Sequence, residues 1–209
     1  MLGTQDLALF VLSALLLNVT PGPDTLYIVG RSSTQGLKAG VVAALGIGAG
    51  TMVHITAAGL GISAILSASA TAFAALKLAG AAYLVYVGIS LLLSRAGDPQ
   101  AAPAPGHAAL QSVFLQGFWT NVLNPKVALF FLAFLPQFVG AEAPSKVLAL
   151  LFLGLVFNVN GTLWNLFVAW SSARVGRAVL RRGRAALWFN RSVGALFVYL
   201  GARLALSKE

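Results

Sequence analysis

The sequence predicts an all-α polytopic membrane protein, with six transmembrane helices arranged as two inverted three-helix repeats and with spans 1 and 4 broken at proline motifs. Three observations lead there. Of 209 residues, 58% are hydrophobic and 9% charged, against about 25% charged in a typical soluble domain; the mean hydropathy is +0.86. Six apolar stretches are each long enough to cross about 30 Å of hydrocarbon. Short motifs in residues 1–94 return in the same order in 112–209, across a Pro-, Ala- and Gly-rich linker at 95–111.

Span 1 covers about 6–29. The first six residues, MLGTQD, hold no Lys or Arg, and the apolar run continues past position 20, so the stretch reads as a span rather than a cleaved leader. Its middle, NVTPGPDTLYIVG (Asn18–Gly30), carries two prolines and an aspartate. Proline lacks an N–H and suits the first position of a helix, so the span breaks and restarts here. Thr20 or Gly22 is the expected cap of the restart.

Span 2, about 38–66, is rich in small residues. GIGAG (Gly46–Gly50) holds a GxxxG spacing and GLG (Gly59–Gly61) follows; such faces let helices approach closely in lipid. His54 lies in its middle, as a hydrogen-bonded structural group or as a proton relay with Asp24. Span 3, about 71–94, ends in AAYLVYVGISLLLS, and RAGDPQAAPAPGHAALQ (Arg95–Gln111) is the linker.

Span 4, about 112–139, carries a second break at Asn124-Pro125-Lys126, with Asn124 as its expected cap. Gln116, Thr120 and Asn121 precede it. The stripe Phe130, Phe134 and Phe138 reads as core or lipid contact rather than a site. Span 5, about 145–172, brings Asn158, Asn160 and Asn165 to membrane depth, where amides serve freed backbone groups or line a cavity. Span 6 is about 187–207.

The repeat rests on three matches: AAYLVYVGISLLLS with GALFVYLGARLALS, GTMVH (Gly50–His54) with GTLWN (Gly161–Asn165), and PDTLYIV with PKVALFF. Three spans per repeat force the second copy to enter the membrane upside down, an architecture common in transporters. The connections after spans 1, 3 and 5 hold Arg31 and Lys38, then Arg95, then Arg174, Arg177, Arg181, Arg182, Arg184 and Arg191. By the positive-inside rule they are cytoplasmic and both termini lie outside; Lys77 and Arg203 snorkel from span ends. The net charge of +9 thus reads as topology, and no motif supports nucleic-acid binding.

Asp24 and Lys126 are the clear charges at membrane depth, where each costs at least about 2.5–3.5 kcal/mol. Each follows a proline at a helix restart. A carboxylate suits the positive end of the helix dipole; an ammonium does not, so Lys126 calls for a negative partner, either Asp24 or a bound anion. If the two breaks meet, one acid, one base and free N–H donors complement a zwitterion. A structural Asp24–Lys126 salt bridge is the plainer alternative.

At these residues the chain resembles the LysE/RhtB family of bacterial amino-acid exporters. LLLNVTPGPDTLYIVGRSSTQGLKAG (Leu15–Gly40) and GFWTNVLNPKVALFFLAFLPQF (Gly117–Phe138) carry the resemblance, which extends over almost the whole chain. It implies a secondary transporter of the bacterial inner membrane that exports amino acids or close derivatives, driven by the proton gradient. It points to Pro21, Gly22, Pro23, Asp24, Asn124, Pro125 and Lys126 as the binding region, to which Asn18, Thr20 and Asn121 are added by position. One embedded acid and one embedded base favour a neutral amino acid. The expected partners are that small molecule, protons and lipid, with a homodimer as the candidate assembly and no cofactor.

Three other classes compete. A metal-cation exporter wants several oxygen or imidazole ligands, and the chain offers one mid-membrane carboxylate and one His at that depth, so no metal centre is expected. A structural membrane protein has no need of paired breaks. An embedded enzyme lacks HExxH, paired acids or a Ser-His-Asp set; His107 lies in the linker.

Overall fold

The computed structural model describes residues 2–62 and 108–175, with isolated, mostly helical positions between 71 and 93 and between 191 and 205. Predicted spans 3 and 6 are therefore described only at single positions. Lys77, Arg95, His107, Arg203 and the run from Arg177 to Arg184 lie outside the described residues.

The first span is two helices, α1 (Leu7–Val19) and α2 (Pro23–Gln35), bent by 52°. Pro21 and Pro23 impose the break, and Pro23 opens α2 at a position where a missing N–H is harmless. The fourth span divides likewise into α4 (Leu110–Val122) and α5 (Pro125–Leu129), whose bent pair, continued to Phe138, turns by 46°. After α5 the chain widens into a π turn (Phe130–Phe134) and then tightens into a 3₁₀ turn (Leu135–Phe138). Among the described residues two helices are unbroken: α3 (Leu37–Ala57), which runs on into a π turn at Ala58–Ile62, and α6 (Lys146–Val175). Both are long and apolar enough to cross a membrane, as is each bent pair taken as one span.

The small-residue face of α3 packs on α4. A Cβ at Gly50 would sit 2.6 Å from the Phe118 carbonyl, one at Gly46 would overlap the Phe114 carbonyl, and one at Gly117 would lie 2.7 Å from the Ala43 carbonyl. The GxxxG spacing is thus a packing device, as small residues are in lipid. Along α6, Gly40 faces Ala169, Gly48 faces Thr162, and Ile55 faces Gly154, so α3 and α6 run antiparallel. The broken spans are also antiparallel: Gln35 Nε2 donates to the Ala108 carbonyl, the Tyr27 hydroxyl to the Val113 carbonyl, and the Asn121 amide to Asp24. At the far end Gln5 N–H reaches the Phe138 carbonyl at 2.9 Å. The phenylalanine stripe is core: Phe130, Phe134 and Phe138 pack with Phe10, Phe131 and Phe157.

One charge is not where sequence placed it. Arg31 was expected in a solvated connection after a span ending near residue 29. Instead α2 continues to Gln35, because Gly36, at φ +82°, makes the whole connection to α3; glycine reaches that region without steric penalty. Arg31 is buried inside α2, donating to Gln35 Oε1 at 2.7 Å and to Gln116 Oε1 at 2.6 Å, beside the Tyr27 ring. Lys38 and Arg174 remain exposed at that end of the fold.

Candidate functional site

Each proline break frees backbone carbonyls by subtraction. In a continuous helix the N–H of residue i bonds the carbonyl of residue i−4. Residue 21 is proline, so the Leu17 carbonyl has no such donor; residue 125 is proline, so neither has the Asn121 carbonyl. Lipid offers no water to replace them. The other break, or a neighbouring helix, does.

Lys126 serves the first. Its Nζ donates to the carbonyls of Leu17 and Thr20, each at 2.8 Å. The ammonium therefore sits at the C-terminal, negative end of α1, where a cation is favoured. Among the described residues no carboxylate lies within ion-pair distance of it. Two backbone carbonyls hold the ammonium here, and no Asp24–Lys126 salt bridge is formed. Lys126 also packs on Gly22, where a Cβ would lie 3.7 Å from Nζ.

His54 serves the second. Its Nε2 lies 3.0 Å from the Asn121 carbonyl, which also accepts Asn124 N–H at 2.9 Å. A carbonyl only accepts, so Nε2 carries the proton. That is the geometry of a structural histidine. The ring also lies against Phe131.

Asn121 ties three elements together. Its Nδ2 donates to Asp24 Oδ2 at 2.8 Å, and its Oδ1 accepts from the Thr51 hydroxyl at 3.2 Å. The arrangement is reciprocal. The acid after the first break is held by a residue just before the second, and the base after the second by residues just before the first.

The caps divide. Asn124 Oδ1 accepts Lys126 N–H at 3.0 Å, so it caps α5 as expected. Thr20 does not cap α2; its hydroxyl turns back to the Leu16 carbonyl at 2.7 Å and closes α1. Gly22 is the residue before α2 and has no side chain to cap with.

The two breaks, α3 and α6 enclose a cavity of about 30 Å³, room for one or two water molecules. Of the predicted residues, Asn18, Thr20, Gly22, Asp24, Asn121, Asn124 and Lys126 line it. Pro21, Pro23 and Pro125 do not; they make the breaks. His54 does not line it either. Asn158 and Asn165 reach it, whereas Asn160, Gln116 and Thr120 do not. Gln116 holds Arg31 instead.

Sequence reading missed Thr51 and Thr162. The signal was present: both follow glycine in the recurring GTMVH and GTLWN motifs. Gly48, facing the Thr162 hydroxyl, and Gly161, facing the Asn18 amide, are lining residues whose lack of a side chain makes the room.

Residues 15–208 match the LysE type translocator family. The chain belongs to that family. Translocators of this type are transporters and not enzymes. An uncharacterized membrane protein of Pseudomonas aeruginosa is 31% identical over 208 residues, spanning 98% of this chain and 96% of its own. Leucine efflux proteins of an Enterobacter species and of Klebsiella pneumoniae are each 28% identical, over 97% of this chain and 96% of theirs. No solved structure matches this translocator. Its membrane location agrees with the outward apolar face of α6, where Leu155, Val159, Leu163 and Phe167 are exposed. At the end of α6, Arg174 stacks 4.6 Å from the Trp170 ring, a pairing suited to a membrane interface.

Proposed function

We propose that this translocator exports amino acids across the bacterial inner membrane, coupled to the proton gradient, by alternating access around the cavity between the breaks. The observation that carries the reading is the cavity itself. It lies where two bent spans meet, it is lined by an acid, a base and several amides, and its volume is about 30 Å³. That is room for one or two water molecules, and binding of an amino acid calls for the lining elements to move apart. Broken helices bearing polar groups at the bilayer midplane are how such carriers bind solutes. The leucine efflux proteins among its relatives support an amino acid as cargo, and the even balance of one acid and one base supports a neutral one.

The antiparallel pairing of α3 with α6, and of one broken span with the other, supports two inverted repeats at 1–94 and 112–209. Exposed Lys38 and Arg174 at one end support cytoplasmic connections after spans 1 and 5, which puts both termini outside.

Uptake into inverted vesicles tests the reading, with a panel of amino acids and with and without a proton gradient. We expect accumulation of neutral amino acids that collapses with the gradient, and none with Asp24→Asn in a protein that still inserts. Normal transport by Asp24→Asn would overturn the site.

A further inference from the structure

Two residues that line the cavity each carry a buried polar atom without a hydrogen-bond partner among the described residues. Asp24 Oδ2 accepts from Asn121, but Asp24 Oδ1 has no hydrogen-bond partner among the described residues. The amide Nδ2 of Asn18 has none either. Both residues line the same cavity, and both atoms are shielded from solvent.

The neighbouring groups are engaged elsewhere. Thr51 and Asn121 bond each other, Lys126 spans the carbonyls of Leu17 and Thr20, and Asn124 caps α5 through Oδ1, its side chain also lying close to Asp24. A buried unsatisfied polar group costs about 1–3 kcal/mol, and more if charged. Folded proteins retain few of them, so two in one cavity call for an explanation. The Asn18 amide is also seated: a Cβ at Gly161 would lie 3.0–3.2 Å from its Oδ1, Cγ and Nδ2. The amide thus occupies the space that a side chain at position 161 would take.

One of the two open atoms is a carboxyl oxygen and the other an amide donor, and Leu17, Ile47, Val127 and Phe157 add apolar wall to the same cavity. The complement is a molecule with a donor for the carboxyl, an acceptor for the amide and an uncharged side chain. We propose that the substrate's α-ammonium binds Asp24 Oδ1 and its α-carboxylate binds the Asn18 amide, while Lys126 latches the first break and is not the carboxylate's ligand. This assignment rests on the amino-acid reading above. It reverses the role that charge alone suggests for Lys126, because the ammonium is held at the end of α1.

The test is binding to the purified, detergent-solubilised full chain. The probes are leucine, valine and threonine, their amides, which lack the carboxylate, and their N-acetyl forms, which lack the ammonium. The wild type is expected to prefer the free amino acid over both derivatives. Asn18→Leu is expected to lower affinity for the free amino acid by about tenfold or more and for the amide by less, because a carboxamide oxygen accepts a weaker hydrogen bond than a carboxylate; the amide binding that remains reports an intact fold. Asp24→Asn is expected to erase the preference over the N-acetyl form. Should Asn18→Leu fail to insert, Asn18→Ser, whose hydroxyl is too short to reach, reads the same ratio. If the wild type binds the amino acids and the Asn18 variant keeps its preference over the amides, this assignment falls and the exporter reading stands. If the wild type binds none of them, both fall.

Discussion

Lys126 hydrogen-bonds the carbonyl of Leu17 at 2.8 Å, the one carbonyl in α1 that Pro21 deprives of its helical donor. The two residues are far apart in sequence, yet the proline in one break creates the acceptor for the base in the other. His54 and Asn121 repeat the pattern at the second break, where Pro125 frees the Asn121 carbonyl and His54 takes it. Asp24 and Lys126 share a cavity but not a bond. Their functions are therefore separable by mutation.

Lys126→Met should act first on stability. It leaves the Leu17 and Thr20 carbonyls without their donor in a region poor in water, a loss of about 2–6 kcal/mol for two such acceptors. The melting temperature of the detergent-solubilised protein should fall, and Lys126→Gln, which retains an amide donor, should fall less. An unchanged melting temperature in Lys126→Met would remove the latch from the account.

His54 should prove structural. Its ring reaches a backbone carbonyl and does not line the cavity, and Asn121 separates it from Asp24 by an amide that donates to the carboxylate. His54→Gln keeps an N–H donor and should transport with the wild-type pH profile. His54→Leu should lose about 1 kcal/mol, a modest figure because Asn124 N–H still serves the same carbonyl. A shifted pH profile in His54→Gln would restore the relay.

The α3–α4 contact predicts a contrast between two glycines. Gly50→Val should fail to give folded protein, since a Cβ there meets the Phe118 carbonyl at 2.6 Å and Asn121 Cβ at 2.9 Å. These atoms belong to packed helices and do not yield as a flexible side chain would. Gly61→Ala should be neutral, because nothing among the described residues lies within 4 Å of the added carbon. Gel filtration of both variants in detergent checks the pair.

Sequence periodicity and proline placement sufficed for the two breaks and the two continuous helices, because proline's missing N–H acts locally and needs no tertiary context. Asn124 as a cap was legible for the same reason. What was not legible came from packing. Arg31 reads as a loop charge until Gly36 shortens the connection to a single residue and leaves the guanidinium facing Gln116. Lys126 calls for an anion until the orientation of α1 supplies carbonyls. Thr51 and Thr162 lie among many small residues, and only their antiparallel helices turn both toward one cavity.

The strongest test of the breaks is a cycle between Pro21 and Lys126. If Lys126 is needed because Pro21 has no N–H, then restoring that N–H should make Lys126 less necessary. In Pro21→Ala, residue 21 gains a donor for the Leu17 carbonyl, α1 extends by a residue or more, and one of the two Lys126 acceptors is already satisfied. Lys126→Met should then cost less in the Pro21→Ala background than in the wild type, with a coupling of about 1 kcal/mol, the worth of one such hydrogen bond. Melting temperatures of the four proteins in one detergent give the coupling. Additive effects would mean that Lys126 stabilises the break without reference to the carbonyl that Pro21 frees. Transport separates from stability in the same set: Pro21→Ala should fold well and transport poorly, because a straightened α1 draws Asn18 and Thr20 away from the cavity they line.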